Sequence, residues 1–202
     1  MRHAVVLGHP STGSFNAAAA AAYIEAVRAA GHEAGLRDLY AQGFQPCLQA
    51  CELPWRDDFA VLADVEAERQ AIADADVIVL VYPLWFNAPP AIIKGYVERV
   101  FGLGFGYAAA APGTRPRMVG KSLVSITTSG APGDWVDQTG AMEHLRKGFD
   151  DHVAAVCGMA VLEHLHLGGV TPGIRADAAE SMFEQVRGMA RSLFATSGPA
   201  LR

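Results

Sequence analysis

Short apolar runs alternate along this chain with segments whose apolar residues recur at helical spacing. Ala4–Leu7 is a buried strand that ends in the turn residues of HPSTG. Ser14 is a helix cap, and the helix runs from about Phe15 to Ala30, stopped at Gly31. Glu33–Leu39 is a second strand, and residues 40–63 read as irregular. A helix over Ala63–Ala73 leads into Asp76–Tyr82, the clearest strand. That run lacks polar alternation, as a strand covered on both faces should.

The loop PLWFNAPP follows, and Pro90 opens a helix to about Phe101. Ala108–Ala111 reads as a small-residue loop. Lys121–Thr128 is the fourth strand, followed by SGAPG and one helix to about Ala155. Val161–His166 is the last strand and Ala176–Phe194 the last helix. Strand followed by helix, about five times, predicts an α/β fold: a doubly wound five-stranded parallel sheet with helices on both faces. Ligands in such sheets bind outside the carboxyl ends of the strands.

Three loops therefore matter most. His9–Asn16 joins a strand to a helix start, where free N–H groups and the dipole favour phosphate. Ser11, Thr12, Ser14, Asn16 and His9 add polar groups, although neither the Walker nor the dinucleotide glycine pattern is present. The same residues also make an ordinary capped turn. In the second loop, Pro83–Pro90, Trp85 and Phe86 offer either a platform for a planar ligand or a lid on the core. In the third, Thr127–Gly133, small residues let backbone donors approach a ligand closely; a plain strand-to-helix turn is the alternative.

Composition narrows the classes. The 202 residues fit one domain, 51% of them are hydrophobic, and the net charge is −5. Such a chain has core enough to fold and gains nothing electrostatically from a phosphate backbone, so nucleic-acid binding is disfavoured. No apolar run spans a bilayer, and the first residues do not read as a signal peptide, so a cytoplasmic protein without a membrane anchor is expected. Cys47, Cys51 and Cys157 read as free thiols. Gly102–Gly106 follows a helix, which argues against a phosphate loop. His164 and His166 share one strand face, too few ligands for a metal site. Asp57–Asp58 and Asp150–Asp151 read as solvated faces.

Together, "GHPSTGSFNAA…AGHEAGLRDLYAQGFQP", "ADVIVLVYPLWFNAPPAIIKGYVERVFGLGFGY" and "LVSITTSGAPG" resemble the NAD(P)H:quinone oxidoreductases, the DT-diaphorase-like branch of the flavodoxin-like fold, over about Met1–Leu167. The resemblance implies sheet order 2-1-3-4-5, a homodimer with its active sites at the interface, and two-electron reduction of quinones by NADH or NADPH with ping-pong kinetics. It implies FAD as cofactor, with FMN the alternative. His9, Ser14, Phe15 and Asn16 would serve the flavin phosphates and ribityl chain; Pro83, Leu84, Trp85, Phe86 and Asn87 the isoalloxazine; Thr127, Thr128, Ser129 and Gly130 its pyrimidine ring. Tyr107 would reach the neighbouring subunit's substrate pocket. The family's tyrosine and histidine of the proton relay fall here on Trp135 and Ala141, with His144 one helical turn further on. Arg175 lies where larger members carry an adenine-side arginine. Azo- or nitroreduction, a flavodoxin-type electron carrier and an ancillary transporter regulator are the alternative functions.

Overall fold

A computed structural model of the chain describes residues 1–195. Five parallel strands form one sheet: β1 (Arg2–Leu7), β2 (Glu33–Asp38), β3 (Val77–Pro83), β6 (Ser122–Thr128) and β7 (Ala160–Leu167), in the order β2-β1-β3-β6-β7. This is the expected flavodoxin-like order. A small antiparallel hairpin, β4 (Tyr107–Ala109) with β5 (Thr114–Pro116), stands apart.

The pleat divides the apolar runs between two cores. Val5, Leu7, Val79, Val81 and Ile126 face α1 (Phe15–Ala29) and α7 (Ala176–Phe194). Ala4, Val6, Ile78, Leu80 and Tyr82 face α2 (Ala63–Ile72), α3 (Ala91–Val100) and the segment after β6. A continuous run such as VIVLVY is thus two alternating faces, each covered by helices.

Three expectations need correction. The segment after the third loop is not one helix. It forms α4 (Gly133–Gln138), α5 (Ala141–Leu145), a π-helical stretch over Arg146–Asp151 and α6 (His152–Cys157). Gly140, at φ +70°, takes the left-handed conformation that separates α4 from α5. Asp150 is not solvated: it is fully buried, because the wide π turn carries it against Ser125 and His164. Ala108–Ala111 is not simply a loop, since Ala108 and Ala109 pair with Arg115 and Thr114.

The irregular stretch between β2 and α2 is pinned from below. Arg99, on α3, is buried; its Nε bonds Glu52 at 2.9 Å and its Nη1 bonds Asp64 at 2.7 Å. A buried guanidinium must be paired in this way. Close backbone approach finishes the packing: a Cβ on Gly95 would lie 2.1 Å from the Pro46 carbonyl oxygen. Gly95→Ala is expected to lower unfolding stability by about 1–3 kcal/mol, read as a reduced urea midpoint.

At the opposite end of the sheet, His3 is buried with Nδ1 2.9 Å from the Tyr23 hydroxyl and Nε2 3.0 Å from His32. Burial first, then the neighbouring His32, lowers its pKa to about 4. The folded state therefore holds His3 neutral, while the unfolded chain binds a proton near pH ~6.5. Stability should be full above that pH and fall as pH drops from 6.5 toward 4. Urea unfolding at several pH values should show this slope, and His3→Asn should flatten it.

Candidate active site

The register of three strands builds the site. Leu7 of β1 pairs with Val81 of β3, and Pro83 of β3 pairs with Thr128 of β6. The ladder runs one step further, with Gly8 N donating to Val81 O and Leu84 N to Thr128 O. All three loops therefore leave the sheet at one edge. They enclose a cleft of about 380 Å³, within the range of small-molecule sites. Gly8 admits α3 to this edge, since a Cβ there would sit 2.5 Å from Ile93.

His9, Ser14, Phe15, Asn16, Pro83, Leu84, Trp85, Thr128, Ser129 and Gly130 all border this cleft. Ser14 caps α1, its Oγ accepting from Ala17 N at 3.1 Å. The amides of Phe15 and Asn16, in the first turn, are left without an intrahelical partner. Asn16 is buried; its Oδ1 accepts from Thr128 Oγ1 at 3.1 Å, while its Nδ2 has no partner among the described residues. A buried amide donor without an acceptor is costly, and a ligand oxygen is the group that would satisfy it. His9 Nδ1 accepts from Ser11 N at 3.0 Å, which leaves Nε2 as the N–H of the neutral ring.

The second loop is a tight two-residue turn. Trp85 N donates to Ala88 O and Ala88 N to Trp85 O, at 3.1 and 3.2 Å. Phe86 and Asn87, its central residues, have φ of +54° and +55°. Asparagine tolerates this conformation; phenylalanine resists it. The Phe86 ring is nonetheless fully exposed, so no packing within the chain offsets the strain. Such strain at an exposed aromatic points to a role outside the chain's own core.

Five of the expected site residues do not border the cleft: Phe86 and Asn87 stand exposed at the tip of the second loop, and Thr127, Tyr107 and Trp135 lie elsewhere. Thr127 is fully buried, and its hydroxyl meets His164 and His166 rather than the cleft. Tyr107 lines a separate, mainly apolar cavity of about 410 Å³ with Trp55, Phe59 and Phe149. Trp135 is half-exposed on α4, and His144 is exposed on α5; neither borders the cleft. Arg175 is exposed, at the start of α7, and pairs with Asp177. The loop after β7 went unnoticed in the sequence. Val170, Thr171, Pro172 and Ile174 close the cleft, tied to the third loop by Val170 N donating to Ser129 O at 2.8 Å. The signal was present: GGVTP follows a fifth parallel strand, whose carboxyl end must share the same edge.

The family model for the flavodoxin-like fold matches residues 1–189. An uncharacterised NAD(P)H oxidoreductase of Haemophilus influenzae is 31% identical over 164 residues, covering 81% of each chain. The chain belongs to the flavodoxin-like family of NAD(P)H oxidoreductases. Rat NAD(P)H dehydrogenase [quinone] 1 is 31% identical over 80% of this oxidoreductase, and the match spans 66% of the rat enzyme. The solved NAD(P)H:quinone oxidoreductase of Methanothermobacter marburgensis superposes with a TM-score of 0.86 at 26% identity, over 96% of this chain and 98% of that one. The resemblance seen in the sequence is borne out at the level of family and fold.

Among the described residues, no helix of this oxidoreductase is long and apolar enough to cross a membrane, and no cluster of three His, Cys, Asp or Glu could hold a metal. Cys47, Cys51 and Cys157 are free thiols, and burial pushes Cys157 up to about 11. Phe86→Asn should raise the urea midpoint by the equivalent of about 0.5–1 kcal/mol, because asparagine accepts the left-handed conformation at little cost. An unchanged or lower midpoint would show that contacts of the ring, within the chain or with a second copy, offset the strain.

Proposed function

We propose that this chain is a flavin-dependent NAD(P)H:quinone oxidoreductase that reduces quinones by two electrons. The supporting observation is the convergence of unpaired donors at one sheet edge: the Phe15 and Asn16 amides, the buried Asn16 Nδ2, and the Gly130 amide, which has no hydrogen-bond partner among the described residues. That set suits a ligand that is planar at one end and rich in oxygen acceptors at the other. Family membership supplies the chemistry.

FAD is the proposed cofactor, with FMN the alternative. When bound, it would carry electrons in pairs from NADH or NADPH to the quinone. The protein's own share is to bind, orient and exclude. The α1 N-terminus and Ser14 would hold the phosphates. Asn16 would bond the ribityl chain, and Thr128 fixes its amide through Oδ1. Leu84, Trp85 and the turn through Phe86 and Asn87 would line one side of the ring system, stiffened by Pro83, Pro89 and Pro90. Ser129 and Gly130 would meet its polar edge.

We further propose a homodimer with the active sites at its interface. Fully exposed Phe86 and largely exposed Trp55 and Val119 need covering, and the apolar cavity beside Tyr107 offers a complementary surface. Tyr107 would then act in the partner's substrate pocket, while Trp135, outside the cleft of its own chain, cannot titrate. A cytoplasmic location accords with this reading.

Steady-state kinetics with NADH or NADPH and a simple benzoquinone should give parallel double-reciprocal lines and one nicotinamide oxidised per quinone reduced. Intersecting lines would contradict a single site used in turn. Chromatography of the released cofactor should identify FAD. Asn16→Leu should retain the fold yet lower flavin content at least 10-fold, since Asn16 Nδ2 is a buried side-chain donor at this cleft with no partner among the described residues.

A further inference from the structure

Behind the third loop, a line of polar side chains crosses the sheet where apolar residues would be expected. Asp150 is fully buried, accepting from Ser125 Oγ at 2.8 Å and facing His164 Nδ1. His164 Nε2 lies 2.8 Å from Thr127 Oγ1. Thr127 Oγ1 lies 2.9 Å from His166 Nδ1, and His166 Nε2 lies 3.0 Å from Ser129 Oγ. The chain thus runs without a gap from a buried carboxylate to Ser129, which borders the candidate active site. A second cleft, of about 430 Å³ between α4, β7 and α7, reaches the same two histidines from the other side.

The hydrogen-bond directions can be counted. Ser129 Oγ donates to the Ala131 carbonyl at 2.8 Å, and a carbonyl can only accept. His166 Nε2 must therefore be an N–H that donates to Ser129. Burial, chiefly, lowers the His166 pKa to about 4, so the ring is neutral and its Nδ1 is bare. Nδ1 then accepts from the Thr127 hydroxyl, whose oxygen accepts from His164 Nε2–H. His164 has thereby used the single proton of a neutral imidazole. Its Nδ1 still faces the Asp150 carboxylate, and that contact needs a proton of its own.

We propose that Asp150, His164, Thr127, His166 and Ser129 form a proton relay that stores one proton at the Asp150–His164 contact and delivers it through Ser129 to the quinone site. This rests on the quinone reductase reading. Reduction of a quinone to a hydroquinone by NAD(P)H consumes one proton: NAD(P)H, quinone and H⁺ give NAD(P)⁺ and hydroquinone. In delivery, Ser129 turns from Ala131 and gives its hydroxyl proton to the acceptor in the cleft. It receives the Nε2 proton of His166, whose Nδ1 takes the proton of Thr127. Thr127 is resupplied from His164 Nε2. Asp150 remains a carboxylate, His164 a neutral ring with its proton on Nδ1, and every hydrogen bond beyond it has reversed direction. Solution in the second cleft returns the missing proton. The relay is Ser129 at the site and four positioning and transfer residues behind it. It occupies different positions from Trp135 and Ala141, which cannot titrate.

Other charges face the histidines. Asp137 of α4 raises His166 and Arg146 of the π stretch lowers it, while Glu163 of β7 also borders the second cleft. From α7 come only Met189, Ser192 and Leu193.

The test combines structure and rate on the purified holoenzyme. Nitrogen-15 NMR of the imidazoles at neutral pH should show His166 protonated on Nε2 alone and His164 with a proton on each nitrogen, the Nδ1 proton shared with Asp150. A His166 protonated on Nδ1 would overturn the stored proton, whatever the enzyme's activity. In turnover with benzoquinone, His166→Gln should lower kcat about 100-fold, in the range of proton-transfer catalysis, with KM for NAD(P)H and flavin content unchanged. Thr127→Val should match it, and Thr127→Ser, which keeps the hydroxyl, should restore the rate to within about 3-fold. The solvent deuterium effect should be multi-proton in wild type and single-proton in Thr127→Val. Equal rates for Thr127→Val and Thr127→Ser would overturn the relay. If wild type itself fails to turn over quinone, the functional reading fails, and the proton positions still decide the store.

Discussion

β3 is paired along its length on both sides, with β1 from Val77 to Val81 and with β6 from Val77 to Pro83. A parallel ladder buried between two helical layers cannot slip without turning its side chains onto the wrong face. This in-register ladder is the constraint from which the remainder follows. It brings three loops out at one edge, orients the α1 N-terminus toward them, and lets Leu84 N bond Thr128 O so that the second and third loops share a backbone contact. The cleft is a consequence of the sheet, and its residues are specific because the sheet is rigid.

The same ladder explains the polar line behind the site. Ser125 and Thr127 lie on β6 two residues apart, so they share one face, and their partners His164 and His166 lie alternately on β7. Alternation supplies the spacing for a continuous hydrogen-bonded chain, and the π turn brings Asp150 in to end it. An isolated histidine here would be an expensive core residue. Five groups linked end to end are mutually satisfied and can change direction together.

Much of this was readable in the sequence. The five strands and the site loops came from apolar runs broken by turn residues, and α7 was placed over Ala176–Phe194 as observed. The cleft residues followed from the rule that parallel strands present ligands at their carboxyl ends. What escaped had physical causes. Asp150 looked solvated because it sits in an acidic pair with Asp151, which is indeed exposed, and because a π turn, unlike an α turn, has no periodic signature. Thr127 was assigned to the cofactor, but strand alternation turns it from Thr128 and toward the histidines. The β4–β5 hairpin hid in alanines that carry no strand preference. The cleft-lining stretch Val170–Ile174 was overlooked because it holds no aromatic or charged residue.

The central claim is that the edge of this sheet holds a flavin that NAD(P)H reduces. The most direct measurement is the visible spectrum of the purified protein, before and after anaerobic NADH or NADPH. The account predicts the two absorption bands of an oxidised flavin and their bleaching straight to the two-electron form. A colourless protein that takes up neither FAD nor FMN would contradict it.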